Sequence, residues 1–162
     1  MSTNENTITY FQTPLGIAAI IGDENGISEI SIQDKGEISE SIPAVLEEAV
    51  KQLQDYFDGK RTNFDFKMNP KGTDFQQKVW QALIEIPFGK TMSYLDLSKK
   101  LGDVKAIRAV ATANGKNPLW IVVPCHRVIG TDGSLTGYAG GLWRKKWLLE
   151  HENPARKQEL LF

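Results

Sequence analysis

The chain is poor in reactive sulfur and imidazole, with one cysteine and two histidines in 162 residues. A lone cysteine excludes an internal disulfide framework and suits a reducing compartment, so a cytoplasmic location is expected, or a nuclear one in a eukaryote. The same scarcity, with no CxxC and no HExxH, leaves no convincing zinc ligand set, and no metal site is expected. Long apolar runs are missing as well, so no segment reads as a spanning helix and no membrane partner is expected. Residues 1–10 are polar and lack the basic n-region of a secretory leader. What remains is ordinary for a globular chain with a real core: 41% hydrophobic and 24% charged residues.

The formal net charge of −1 hides a division. Residues 1–70 carry 5 Lys/Arg against 12 Asp/Glu, whereas residues 71–162 carry 14 against 8. An acidic half beside a basic half points to a support and a surface that could meet phosphates. Lys71-Gly72 marks the expected boundary, giving an N-terminal scaffold over 1–70 and a C-terminal domain over 71–162.

In the acidic half, residues 8–21 alternate weakly around Pro14-Leu15-Gly16. Asp23-Glu24-Asn25-Gly26 is a turn with glycine where a positive φ is expected. Branched residues from Ile27 on favour a strand, so a hairpin is predicted. A helix follows from Pro43 to about Tyr56, with Leu46, Ala49, Val50, Leu53 and Phe57 at helical spacing. Phe64-Asp65-Phe66-Lys67-Met68 reads as another strand. No cluster of nucleophiles or ligands appears here, and the reading is a small β-sheet with a covering helix.

In the basic half, Thr73 with Gln76 has the capping-box form and opens a helix expected to present Phe75, Val79, Leu83 and Ile84 on one face. Two short helices follow, Ser93 to Leu101 and about Val104 to Asn114, separated at Gly102. In the second, Ile107, Val110 and Ala111 are the expected buried stripe. Lys105, Arg108, Ala109 and Thr112 lie opposite. That exposed face offers cations among small side chains, and helix, glycine turn, helix is the helix-turn-helix arrangement. Many helical hairpins bind nothing, so a DNA role does not follow from this alone. After Asn117-Pro118, an apolar run through Val123 leads to Cys125. Gly137-Tyr138-Ala139-Gly140-Gly141 is a glycine-rich loop that lets backbone approach a ligand. A last helix runs from about Leu142 to His151 with Trp147 and Leu148 inward. Glu150 and Glu152 near its end have the wrong sign for the helix dipole, and one of them could be held by His126.

Val123-Pro124-Cys125-His126-Arg127-Val128 places that one cysteine beside an imidazole. A free thiol with a pKa of roughly 8.5 is only a few per cent thiolate at neutral pH, so a neighbouring base is the usual means of activation. The competing reading is a small buried hydrophobe.

With these residues assembled, the chain resembles the O6-alkylguanine-DNA alkyltransferases, also called methylated-DNA–protein-cysteine methyltransferases. The resemblance rests on Pro124-Cys125-His126-Arg127-Val128-Ile129, Asn117-Pro118, Ser93-Tyr94, Arg108-Ala109-Val110, the 137–141 loop and Trp147-Leu148-Leu149. It is close over 73–162 and loose before that, through Thr13-Pro14-Leu15-Gly16. It implies an α+β protein: a ribonuclease-H-like N-terminal sheet domain and a mostly helical, winged helix-turn-helix C-terminal domain. It also implies direct-reversal DNA repair, a single irreversible transfer of an alkyl group from guanine O6, or thymine O4, to Cys125.

Residue by residue, the resemblance gives His126 as the base acting through a bridging water, Glu152 as its orienter and Asn117 as the brace of the active-site turn. Tyr94 would meet guanine N3. The carbonyls of Cys125 and Val123 would accept from the exocyclic amine, and the Ala139 amide would bond near O6. Val128 and Tyr138 would line the base pocket, with Trp120 at its rim restricting large adducts. Arg108 would fill the gap left by the extruded base, with Lys105, Ala109 and Thr112 on the DNA-facing helix. The implied partner is double-stranded DNA carrying O6-alkylguanine, bound through its minor groove by a monomer. Some relatives carry an N-terminal zinc, for which this chain lacks ligands. Others replace the cysteine with tryptophan and only bind lesions, which Cys125 argues against. A helix-turn-helix regulator and a cysteine hydrolase are the readings from other classes.

Overall fold

The computed structural model describes residues 6–155. They pack as two compact units, one running up to Lys71 and including Pro118–Trp120, the other comprising Gly72–Asn117 and the chain from Ile121 on.

The first unit is built on three antiparallel strands in sequential order, β1 (Thr7–Thr13), β2 (Gly16–Asp23) and β3 (Gly26–Gln33). The expected hairpin is thus a three-stranded meander. Thr13 makes the first turn: its hydroxyl accepts from Leu15 N at 3.0 Å and donates to Gly16 O at 2.8 Å. Asp23 makes the second, accepting from Asn25 N at 2.7 Å, and Gly26 takes the anticipated positive φ of 128°. Ile20, Ile30 and Ile32 are buried, and a short 3₁₀ turn leads into α1 (Glu47–Phe57). The helix lays Ala49, Val50, Leu53 and Tyr56 inward. Burial of each large side chain contributes roughly 1.5–3 kcal/mol, so this stripe is what holds the covering helix in place.

Phe64-Asp65-Phe66-Lys67-Met68 is not a strand. Only Met68 forms a bridge, parallel to Ile27, while the Phe64 ring packs against Tyr56 and Phe66. Here aromatic packing replaces the ladder that the alternation led one to expect. Leu119 returns to this unit and bridges Ile30, so the chain crosses between the units more than once.

The second unit begins with α2 (Asp74–Ile84), whose capping box between Thr73 and Gln76 is formed as the sequence predicts. Gly72 precedes it because a Cβ there would collide with the Trp80 ring. Trp80 itself is buried and donates to Ala113 O at 2.9 Å. The inward face of α2 is Val79, Trp80, Ala82 and Leu83, whereas Phe75 and Ile84 face solvent, contrary to expectation. Strand β4 (Met92–Ser93) pairs in parallel with β5 (Val128–Ile129). It leads into α3 (Tyr94–Lys100), capped by the Ser93 hydroxyl. A turn at Gly102, φ 91°, and a 3₁₀ segment then lead to α4 (Ile107–Gly115). Its buried residues are Val110, Ala113 and Asn114, so the stripe is displaced from the expected Ile107, Val110 and Ala111. The last helix, α5 (Leu142–Glu152), buries Arg144, Lys145, Leu148, Leu149 and Glu152. Trp147, expected inward, is half-exposed and stacks on His151 at 4.8 Å between ring centroids.

Candidate active site

Cys125 sits on a single 3₁₀ turn, Cys125–Arg127, immediately after Pro124. The backbone is therefore not extended there. Three residues per turn still send neighbouring side chains in divergent directions, so a thiol and an imidazole in adjacent positions do not face each other. The turn is braced from behind: Asn117 Nδ2 donates to Val123 O at 2.7 Å, and Cys125 N donates to the same oxygen at 2.8 Å. Just upstream, Ile121 holds φ at 73°, a costly conformation for a β-branched residue that only surrounding structure can impose. Burial pushes the Cys125 thiol up from its ordinary pKa, and an Asn117 hydrogen bond and the Lys145 charge pull it partly back. At neutral pH the resting group is a thiol.

His126 is wholly buried, and its Nε2 lies 2.7 Å from Glu152 Oε2. A carboxylate on Nε2 fixes the proton there and leaves the lone pair on Nδ1. That Nδ1 is buried with no hydrogen-bond partner among the described residues. Burial lowers the His126 pKa despite the opposing pull of Glu152, so the imidazole is neutral and able to accept a proton. Glu152 is held in turn by Arg127, which donates from Nε to Oε1 at 2.8 Å and from Nη2 to Oε2 at 3.0 Å. Arg127 Nη1 reaches Ile86 O at 2.7 Å. Burial alone would raise the Glu152 pKa, but His126 and Arg127 together hold it well below the carboxylate range.

Lys145 is fully buried and carries no carboxylate partner among the described residues. Its ammonium donates to Val128 O at 2.7 Å, Thr136 O at 3.1 Å and Gly137 O at 3.2 Å. Burial lowers its pKa to about 8, and interaction with Cys125 opposes that fall. Tyr94 is half-buried, its hydroxyl donating to Thr136 O at 3.3 Å; burial, then the Cys125 charge, raises its pKa.

Two family models match the chain. Residues 74–154 match the DNA-binding domain of 6-O-methylguanine DNA methyltransferase, and residues 7–70 match its ribonuclease-like domain. A methylated-DNA–protein-cysteine methyltransferase of Methanosarcina barkeri is 45% identical over 87% of this chain and 93% of its own length. The constitutive protein of that name from Bacillus subtilis is 43% identical over 95% of this chain and 99% of its own. The chain belongs to this family. Among solved structures, the O6-methylguanine methyltransferase of Mycobacterium tuberculosis superimposes with a TM-score of 0.83 at 40% identity, covering 93% of this chain and 94% of that one. A structure of Mycobacterium tuberculosis OGT in complex with DNA gives 0.82 at 42% identity, covering 91% and 93%. The mixed α+β architecture read from the sequence is that of the family, a small antiparallel sheet domain followed by a helical DNA-binding domain.

The second unit of this methyltransferase-family chain contains Cys125, His126, Glu152, Asn117, Tyr94, Val123, Val128, Tyr138 and Ala139. Arg108, Ala109 and Thr112 are exposed along α4, and Lys105 is exposed in the 3₁₀ segment before it. Val128 is buried, Tyr138 has a buried hydroxyl whose pKa burial raises well above the ordinary value, and Ala139 is exposed. Trp120 lies in the first unit, where its amide donates to Ile30 O at 3.2 Å. Val123 O, expected to accept from a purine amine, already accepts from Asn117 and Cys125, which fills both lone pairs. Glu150 ion-pairs weakly with Lys146 at 3.9 Å, so Glu152 alone orients His126.

Two residues escaped the sequence reading. Arg127 stood in the motif without a role, although a guanidinium beside the base is the natural clamp for a buried carboxylate. Lys145, between Arg144 and Lys146, was given no role. Among the described residues, no group of three or more His, Cys, Asp or Glu could hold a metal ion. No helix there is long and apolar enough to cross a membrane.

Proposed function

We propose that the protein repairs DNA by direct reversal, taking the alkyl group of O6-alkylguanine onto Cys125 once and irreversibly. The thiol gives its proton through a water to His126 Nδ1, and the sulfur attacks the alkyl carbon. A C–S bond forms as the C–O bond breaks, and guanine departs with the electron pair. Tyr94 donates to N3 of the leaving purine, exchanging its long bond to Thr136 for one that offsets the developing charge. Glu152 stabilises the imidazolium and Arg127 fixes Glu152, a nucleophile–base–orienter chain extended by one member. The thioether has no route back to a thiol, so each molecule acts once, without a cofactor.

The observation that carries this reading is the buried base. His126 is neutral, oriented by a carboxylate, and keeps an unsatisfied Nδ1 on the residue that directly follows Cys125, whose thiol burial keeps protonated. A cysteine hydrolase would leave the exposed Arg108–Ala109–Thr112 face of α4 without a purpose.

The same reading gives α4 the minor groove of duplex DNA, where the small Ala109 and Thr112 let the helix backbone approach. Arg108 fills the stack behind the extruded nucleotide, with Lys105 on a nearby phosphate. Val128 and Tyr138 flank the base, the Ala139 amide serves O6, and the protein acts as a monomer in the cytoplasm. Cys125→Ser is the direct test: it retains affinity for an O6-methylguanine duplex but accepts no methyl group. A variant that loses affinity and transfer together, or still removes the lesion, contradicts the assignment.

A further inference from the structure

Asn114 lies on the buried side of α4 and is 5% exposed. Its Nδ2 donates to the Tyr94 hydroxyl at 3.5 Å, and its Oδ1 is buried with no hydrogen-bond partner among the described residues. A buried amide oxygen without a donor costs roughly 1–3 kcal/mol, so an unfilled one beside a reaction centre calls for a donor that arrives with the substrate. This inference rests on the proposed role of Tyr94 at purine N3. On guanine N3 is flanked by C4 and by C2, which bears the exocyclic amine, so a group on the C2 side of the Tyr94 hydroxyl faces that amine. The minor-groove edge of guanine is distinguished from those of the other bases by that donor. Among the expected acceptors for it, Val123 O is already saturated by two protein donors.

The geometry points to Asn114 Oδ1 as an acceptor for the 2-amino group of the extruded O6-alkylguanine, making Asn114 a specificity-determining residue. Tyr94 and Asn114 then present a donor and an acceptor side by side, the complement of guanine N3 and its amine. A purine lacking the amine leaves Oδ1 unpaired in the closed pocket. An O4-alkylthymine presents a carbonyl there and sets acceptor against acceptor. Sites built to hydrogen-bond a substrate group reject analogues without it for this reason.

The test compares single-turnover rates on duplexes carrying O6-methylguanine or O6-methylhypoxanthine, the same purine without the amine. The unsubstituted protein should prefer guanine by about tenfold or more, the factor that one buried hydrogen bond supplies. Asn114→Ala should slow the guanine substrate by about that factor, leave hypoxanthine within about twofold, and so erase the preference. Asn114→Asp keeps an acceptor and should keep the preference, which also serves if the alanine variant does not fold. An Asn114→Ala variant that slows both substrates equally would place Asn114 behind Tyr94 only and overturn the inference, as would an aspartate variant without preference. Failure of the underlying repair reading looks different, because the unsubstituted protein would then take a methyl group from neither duplex.

Discussion

Glu152 receives His126 Nε2 at 2.7 Å on the same oxygen that Arg127 Nη2 reaches at 3.0 Å. The carboxylate thus both directs the base and is kept ionised by the guanidinium. Removing its charge while keeping its shape should separate these effects. Glu152→Gln should slow methyl transfer by about 10–100-fold, the range seen when a partner that orients a histidine is lost. It should also destabilise the fold by roughly 3–5 kcal/mol, because Arg127 remains buried without its anion. Single-turnover kinetics and denaturant unfolding measure the two separately; an unaffected rate removes Glu152 from the relay.

Acid should destabilise the protein in two stages of the same sign. His126 has a lowered pKa in the folded state, so below about pH 6.5 the unfolded chain takes up the proton first and stability falls. Glu152 has a depressed pKa, so its contribution is complete above the unfolded value near 4.5 and declines as pH drops below it. Denaturation midpoints from pH 8 to pH 4 should therefore decrease continuously, and His126→Gln should remove the upper part of the decline. A flat profile between pH 7 and pH 5 in the unsubstituted protein would contradict the burial of a neutral imidazole.

Lys145 should matter both as a tie and as a charge. Its ammonium bonds three carbonyls, two of them in the segment that precedes the glycine-rich loop residue Tyr138. It also offers the positive charge that favours the Cys125 thiolate. In Lys145→Met the pH profile of Cys125 alkylation by iodoacetamide should move to higher pH, and methyl transfer should slow by about tenfold. A slower transfer with an unmoved profile would reduce Lys145 to a loop tie.

Arg108→Ala should impair repair of duplex DNA by about tenfold while sparing reaction with free O6-alkylguanine base, since only the duplex needs its gap filled. Loss of both reactions in equal measure would remove the flipping role.

The nucleophile and its base were legible because they are adjacent in the chain and chemically uncommon there. Glu152 was legible only as an anomaly, an acid at the wrong end of a helix, and the structure supplies the imidazole and the guanidinium that resolve it. Thr73 with Gln76 announced the start of α2 because a capping box is local. The misreadings arose where tertiary contacts decide. Phe64 and Phe66 alternate like a strand but pack ring against ring, and in α4 Ala113 and Asn114 join Val110 in place of the expected Ile107 and Ala111. No local pattern marks a buried lysine, because its partners are backbone carbonyls of β5 and of the segment before Tyr138. Trp120 was assigned to the pocket rim from position and bulk; its amide bonds Ile30 O in the first unit.

Cys125 itself should end up carrying the alkyl group, and weighing the protein decides whether it does. After incubation with a duplex containing O6-methylguanine, the intact chain should gain the mass of one methyl group per molecule. Proteolysis should confine that gain to the peptide containing Cys125, with the oligonucleotide returned to unmodified guanine. Unchanged protein mass alongside an intact lesion, or a repaired lesion with no methyl on Cys125, would contradict the account.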